Sequence, residues 1–369
     1  MSAVSPYADP RVVNALLGRI HEEAPRRGRP LVIMEVCGTH THAVAEAGFR
    51  RRLLPSVRLV SGPGCPVCVT PVDYLDRAEA LARLPRTVVC TFGDLFRVPS
   101  SRGSLERARA QGARVEVVYS PRDALALAKA DAATRVVFLA VGFETTAPAV
   151  AASLLEAERE DIPNFCILPG HKVVPPPLRA LAQDAGARPD GFLLPGHVSV
   201  ITGSQAFAFL AEEHGLPSVV AGFTAADILR GVLELCRMAA RGETLVANLY
   251  GRAVTAEGNR EAQALLERFF APEESVWRGL GRIPASGLSL REEWRHRDAS
   301  RTALALPEPL EPPGCLCGRV LTGAVEPPEC PLFGDRCTPD LPLGACMVSS
   351  EGTCAAWYRH ERHRLGQTV

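Results

Sequence analysis

The chain predicts an α/β protein: two parallel-sheet βαβ units followed by a small cysteine-rich unit. Three observations carry this. Short apolar runs rich in Val, Ile and Leu alternate with stretches of helical composition, the pattern of strands buried on both faces between helices. Polar motifs containing glycine stand directly after those runs. From about residue 300 the texture turns to Pro, Gly and Cys, and six of the twelve cysteines lie at or beyond residue 315.

Taken in order, residues 1–11 have neither a basic start nor an apolar stretch, so no export signal is expected. Strands are predicted over 31–36, 58–60, 87–92 and 115–119, with helices over 72–84, 104–111 and 122–129. Ser104 and Pro121 or Arg122 mark helix starts. A second round places strands over 136–141, 164–168, 191–194 and 218–221, with helices over 147–160 and 225–240. A short echo links Leu168-Pro169-Gly170-His171 to Leu194-Pro195-Gly196-His197. Residues 308–314, dense in Glu and Pro, read as a rigid entry into the last unit. The expected division is 1–130, 131–300 and 301–369, the first two units Rossmann-like and the third stapled by a cluster.

With 369 residues and 47% hydrophobic content the chain can bury sizeable cores. Its 41 basic and 41 acidic residues cancel, which excludes a global field for nucleic acid or an anionic membrane and leaves partners to local contacts. A monomer that enters transient complexes is expected. The only lysines are Lys129 and Lys172, neither after a glycine-rich turn, so a Walker-type phosphate loop is absent. No run reaches membrane-spanning length. Twelve cysteines without an export signal point to thiol or metal chemistry in a reducing compartment, and the cytoplasm is the expected location.

The chemistry concentrates in the loops that follow strands: Cys37-Gly38-Thr39-His40, the Gly62 to Cys68 segment, Gly93-Asp94, Gly142-Phe143-Glu144-Thr145-Thr146 and Pro195-Gly196-His197-Val198-Ser199. Open parallel sheets bind ligands at the carboxyl ends of their strands, so these loops are expected to face one crevice. Thr39, Thr145 or Ser199 are candidate caps for the helices that follow. Cys37 reads either as a small buried apolar group or as a thiol whose pKa is depressed by a helix amino terminus and nearby imidazoles. His40 and His42 favour the second. Cys65 and Cys68 have the spacing of half a zinc site, but no matching second pair exists; a reversible dithiol, or ligation shared with another loop, is the better account. Glu144 reads as first-turn helix stabilisation or as a site carboxylate. His171 and His197 are equally turn histidines or functional groups.

Cys315, Cys317, Cys330, Cys337, Cys346 and Cys354 have irregular spacing and no histidine between them, which suits an iron-sulfur cluster better than a zinc finger. If Cys315 and Cys317 were extended, their side chains would point to opposite faces and only one would reach a shared cluster. Cys315, Cys330, Cys337 and Cys354 are therefore the expected ligands, with Cys317 and Cys346 as further ligands or a redox pair.

The segments 37–40, 62–68, 142–148 and 195–199, together with Trp277-Arg278-Gly279-Leu280-Gly281 and Cys346-Met347-Val348-Ser349-Ser350-Glu351-Gly352, closely resemble the HypD family of nickel-iron hydrogenase maturation proteins. The resemblance runs from about residue 30 to residue 358. It implies a scaffold on which, with a HypC-type chaperone, an iron atom receives two cyanide ligands and one carbon monoxide, the cyanide coming from a HypE-type partner. It also implies two α/β domains and a third part carrying a 4Fe-4S cluster that supplies or relays electrons. On this chain Cys37 would hold the iron centre, with His40 beside it; Cys65 and Cys68 would be the redox pair; Glu144, Thr145 and His197 would line the same crevice. Two loops depart from the family pattern: residues 98–101 are less glycine-rich, and Phe223 is followed by no acidic residue until Asp227. A rival from another class is an iron-sulfur thiol oxidoreductase like the ferredoxin-thioredoxin reductases, which has no use for Cys37.

Overall fold

The computed structural model describes residues 9–362 except 27, 185 and 187; the stretch 1–8, part of the segment read above as lacking an export signal, lies outside the described residues. Among the described residues nine strands run parallel: β1 (Leu31–Glu35), β2 (Val57–Ser61), β3 (Thr87–Thr91), β4 (Val115–Val117), β5 (Arg135–Gly142), β6 (Phe165–His171), β7 (Gly191–Pro195), β8 (Ser218–Ala221) and β9 (Val246–Asn248). Their order is β2-β1-β7-β8-β9 in one sheet and β4-β3-β5-β6 in the other. β10 (Phe270–Trp277) and β11 (Gly281–Leu290) form an antiparallel hairpin.

Every predicted strand is present, but the two sheets do not part at residue 130. β1 pairs with β2 on one side and, on the other, with a strand more than a hundred residues later, Ile33 opposite Gly191 and Glu35 opposite Leu193. The second sheet is built entirely from the intervening chain, and β3 crosses the expected boundary to pair with β5, Val88 opposite Val136. Apolar periodicity marks a strand without naming its partner, which explains the displaced boundary. The hairpin β10–β11 was not predicted, because Pro272, Glu273, Glu274 and Pro284 break both the apolar run and the alternation.

Alternation within the first sheet assigns its two faces. Leu31, Ile33, Val57, Leu59, Leu193 and Val219 face the helices Pro10–Glu23 and Ala225–Arg241. The second of these helices starts at a reciprocal Thr224–Asp227 capping box and stops at Gly242, whose φ of 69° lies in the left-handed region. Met34, Val36, Val60, Phe192, Leu194 and Val220 face the other way, into a core shared with Cys65, Cys68, Trp277, Cys317, Cys330, Cys337, Cys346 and Cys354. The carboxyl-terminal segment is thus laid directly on the first sheet. Gly279 in the β10–β11 turn and Gly318 let the hairpin approach the same segment closely: a Cβ on Gly279 would stand 2.4 Å from the Gly318 Cα. No described helix is long and apolar enough to cross a membrane.

The predicted helix starts at Ser104 and beside Pro121 hold, with Ser104 and Ser120 accepting the Arg107 and Asp123 amides. The echo around the two histidines diverges: β6 continues through His171, whereas Pro195 ends β7 and caps the helix Gly196–Thr202.

Candidate functional site

Cys37 sits where β1 ends, at the N-cap of the helix Gly38–Glu46. The loop carrying the paired cysteines is strapped to it from both sides. The Gly62 amide donates to the Glu35 carbonyl at 2.8 Å, and the Gly38 amide donates to the Gly64 carbonyl at 2.9 Å. Gly64 is glycine because no side chain fits; its Cβ would lie 2.3 Å from the Cys37 nitrogen. Beyond this contact Cys65 and Cys68 are joined as a disulfide, with Cα atoms 5.2 Å apart, and the Cys68 sulfur lies 4.0 Å from the Ala345 carbonyl. One junction therefore brings together the lone thiol, the cysteine pair and the residue preceding Cys346.

The Cys37 thiol departs from expectation. Burial pushes it up to about 12, and the carboxylates of Glu351 and Glu35 add to the rise; the His40 and Thr39 amides oppose it without reaching the geometry of a capping bond. The helix terminus is present, but desolvation outweighs it. Glu35 is fully buried beneath, accepting from Ser61 at 2.5 Å and Thr41 at 2.7 Å, and it stands 3.5 Å from the Arg50 guanidinium. Burial raises its pKa to about 7 against the pull of Arg50. Arg50 in turn reaches Glu361 at 2.8 Å and lies over the Trp357 ring, so the last described helix is anchored under Cys37.

His40 is buried, and its Nε2 lies 2.9 Å from the Gly222 carbonyl. A carbonyl only accepts, so Nε2 carries the proton and Nδ1 keeps a lone pair; Nδ1 has no partner among the described residues. Burial lowers the pKa to about 4, leaving the ring neutral. Phe223 couples His40 to His197, with ring centroids 4.9 Å and 3.9 Å away. His197 is exposed on one side and its pKa is lowered by partial burial.

The structure gathers Cys37, His40, His197, Cys65 and Cys68, while Glu144 and Thr145 form a separate arrangement. Glu144 is buried, with Oε1 accepting the Val174 amide at 2.8 Å and Oε2 unpartnered among the described residues; desolvation raises its pKa to about 7. It precedes the helix Ala147–Arg159 instead of capping it. Its neighbour Phe143 stacks on Trp277 in the core that holds Cys65 and Cys68. Thr145 is exposed. None of the three proposed caps serves: Thr39 donates to Glu351 at 3.1 Å, Ser199 donates to the Pro195 carbonyl at 2.9 Å, and the N-cap before Ala147 is Thr146.

Glu351 is the residue that sequence reasoning overlooked. It occupies the space left by Gly38, whose Cβ would stand 2.4 Å from the Glu351 Cβ, and Ser349 beside it donates to Asp94 at 2.7 Å. The motif around it was visible, and so was the glycine after Cys37. Their contact spans more than three hundred residues and leaves no local signal.

All six carboxyl-terminal cysteines share one core. Cys315 and Cys317 are not extended: Cys315 closes a turn onto Pro312 and Cys317 opens the helix Cys317–Leu321, which brings the two thiols within hydrogen-bonding reach. The premise that only one of them faces inward fails. Cys317 adjoins Cys346, and Cys346 adjoins Cys354. Cys337 accepts the Leu343 amide at 3.3 Å, and its thiol is raised by burial and by Cys315 and Cys330 nearby. A Cβ on Gly344 would stand 3.0 Å from the Cys315 sulfur. An all-thiol donor set beside a side-chain-free position suits a soft iron-sulfur group, although no three described ligand-type residues are already poised as a metal site.

The chain is similar to known proteins along almost its whole length. A family profile named HypD, described as "Hydrogenase formation hypA family", matches residues 11–361. The chain is 45% identical to the hydrogenase expression/formation protein HupD of Azotobacter chroococcum over 99% of its own length and 98% of the relative's. It is 42% identical to the hydrogenase maturation factors HypD of Rhodobacter capsulatus, over the full length of both chains, and of Escherichia coli, over 98% and 99%. The chain belongs to the HypD family of hydrogenase formation proteins.

Proposed function

We propose that this chain is a cytoplasmic hydrogenase maturation factor that holds an iron atom while two cyanide ligands and one carbon monoxide are attached, working with a HypC-type chaperone and a HypE-type cyanide donor. The observation that carries the reading is the junction at Cys37, where a single buried thiol is tied through the Gly38–Gly64 hydrogen bond to the Cys65–Cys68 loop. The iron is cargo. Cys37, once deprotonated, offers it a soft sulfur donor suited to a low-spin centre. His40, one turn along and neutral, keeps an unengaged Nδ1 lone pair for a proton. Phe223 holds His40 and His197 in one stack, and Glu351 closes the wall over Gly38. Cys65 and Cys68 release two electrons and two protons on closing to the disulfide and take them up on opening. Cys315, Cys330, Cys337 and Cys354 would hold a 4Fe-4S cluster, with Cys317 and Cys346 within reach of the same position; such a cluster supplies one-electron chemistry when bound.

The core shared by the disulfide and the carboxyl-terminal cysteines also supports a second reading, an iron-sulfur thiol oxidoreductase. Anaerobic co-purification with a HypC-type partner, followed by infrared spectroscopy of the cyanide and carbonyl stretches, separates the two. Bands in the wild type that vanish in Cys37→Ala support the scaffold. Bands that persist in Cys37→Ala refute the role given to Cys37, and disulfide reduction with no bands in either protein favours the oxidoreductase.

A further inference from the structure

A cleft of 260 Å³ opens at the exit of β6, walled by the start of the helix Val72–Ala82 on one side and by β10 on the other; Tyr74, Arg77, Lys172, Ser275 and Val276 line it. Lys172 is 3% exposed, and its Nζ donates to the Ser275 hydroxyl at 2.8 Å and the Val276 carbonyl at 2.7 Å. Both partners belong to the cleft wall, which places the ammonium there too. An ammonium carries three donors, so one is left over. The Trp277 ring lies 5.3 Å from Nζ. Among the described residues no carboxylate stands within ion-pair distance of Lys172; Asp73 and Glu273 act on it only from further away.

The other charges on the wall are of both signs: the Arg77 guanidinium and the carboxylates of Asp73 and Glu274. Arg77 donates to the Ser300 and Thr302 carbonyls at 3.0 and 3.1 Å, neutral groups that leave its charge uncompensated. Glu274 is drawn off by Arg282 at 3.1 Å, and Asp73 turns Oδ1 to the Tyr74 amide at 2.9 Å. A buried cation with no carboxylate in contact is costly, and a bound anion lowers that cost. Burial holds the Lys172 pKa down to about 8, still above neutral pH.

We infer that this cleft binds a small phosphate-type oxyanion through Lys172, with Arg77 at its mouth. A phosphoryl oxygen fits the one remaining ammonium donor, and its other oxygens suit the guanidinium. The cleft lies just below the roughly 300–1,000 Å³ of sites for drug-sized ligands, a size that suits phosphate or a short phosphoryl compound. The inference goes beyond the maturation role proposed above and does not depend on it.

The test is isothermal titration of the full-length protein with inorganic phosphate at constant ionic strength in an oxyanion-free buffer. The expected result is saturable single-site binding, weakened about 10- to 100-fold in Lys172→Met, the loss of one charge-assisted hydrogen bond. Arg77→Gln, at the mouth, is expected to weaken it by a smaller factor and decides the matter if Lys172→Met does not fold. Absence of saturable binding, affinity unchanged in both variants, or equal competition by malonate would overturn the assignment.

Discussion

Gly64→Ala tests most simply whether the cysteine loop and Cys37 are locked together. The added Cβ would meet the Cys37 nitrogen at 2.3 Å, the Val36 carbonyl carbon at 2.5 Å and the Cys37 Cα at 2.6 Å. All three are backbone atoms, so no rotamer change relieves the clash. Moving from 2.3 Å to the 3.4 Å at which ordinary contact begins requires a retreat of about 1 Å. That displacement breaks the 2.9 Å hydrogen bond from Gly38 to Gly64. Overpacking of this kind costs about 1–3 kcal/mol and a lost hydrogen bond about 1 kcal/mol, so a loss of about 2–4 kcal/mol is expected. Gly18→Ala is the control. It lies inside the helix Pro10–Glu23 with nothing within 4 Å of the new carbon, and alanine there should stabilise by about 0.5–1 kcal/mol. Urea denaturation reads both. A Gly64→Ala protein within about 0.5 kcal/mol of the wild type, at unchanged slope, would refute the reasoning.

Arg50→Met strands Glu35 and Glu361 in the interior and should cost about 3–5 kcal/mol; adding Glu35→Gln should recover part of it, and equal stability of the single and double variants would count against the network. His171 is buried with neither ring nitrogen partnered among the described residues, and burial holds its pKa down to about 3 from 6.5. The unfolded chain binds this proton first, so the stability it contributes is present above pH 6.5 and falls with the pH at up to about 1.4 kcal/mol per unit toward pH 3. His171→Phe, packing against Phe270, should remove that part of the slope, and a pH profile unchanged by the substitution would count against it. Cys90 and Cys236 are buried in the cores and pushed up to about 12 by desolvation, so neither should be alkylated by iodoacetamide in the folded protein; rapid mass-spectrometric labelling of either would show that the core opens.

The loops at the strand exits were legible because glycine and polar residues after a Val-rich run can only mark the end of a buried strand. Cys37, His40, Cys65, Cys68 and His197 all lie on such loops; the structure ties the turn after Cys37 to the loop of Cys65 and Cys68 and stacks His40 and His197 on Phe223. Sheet membership was not legible, since the pairing of Ile33 with Gly191 depends on contacts that no local pattern encodes. The state of the Cys37 thiol was misjudged for a related reason: the helix terminus is visible in the sequence, but the buried Glu35 below and Glu351 above are brought there by the fold. Cys315 and Cys317 look extended as a pair, and only the turn onto Pro312 shows otherwise. Lys172 was noted for lacking a phosphate loop; its buried position beside β10 could not be read because β10 itself was missed.

In the proposed role Cys37 would hold the cargo iron separately from the iron of the carboxyl-terminal cysteines. Mössbauer spectroscopy of the complex with a HypC-type partner, isolated anaerobically from cells grown on iron-57, tests this directly. Cluster iron plus one additional low-spin site is expected in the wild type, with loss of the low-spin site alone in Cys37→Ala. A low-spin site that survives the substitution, or cluster iron that disappears with it, would contradict the account.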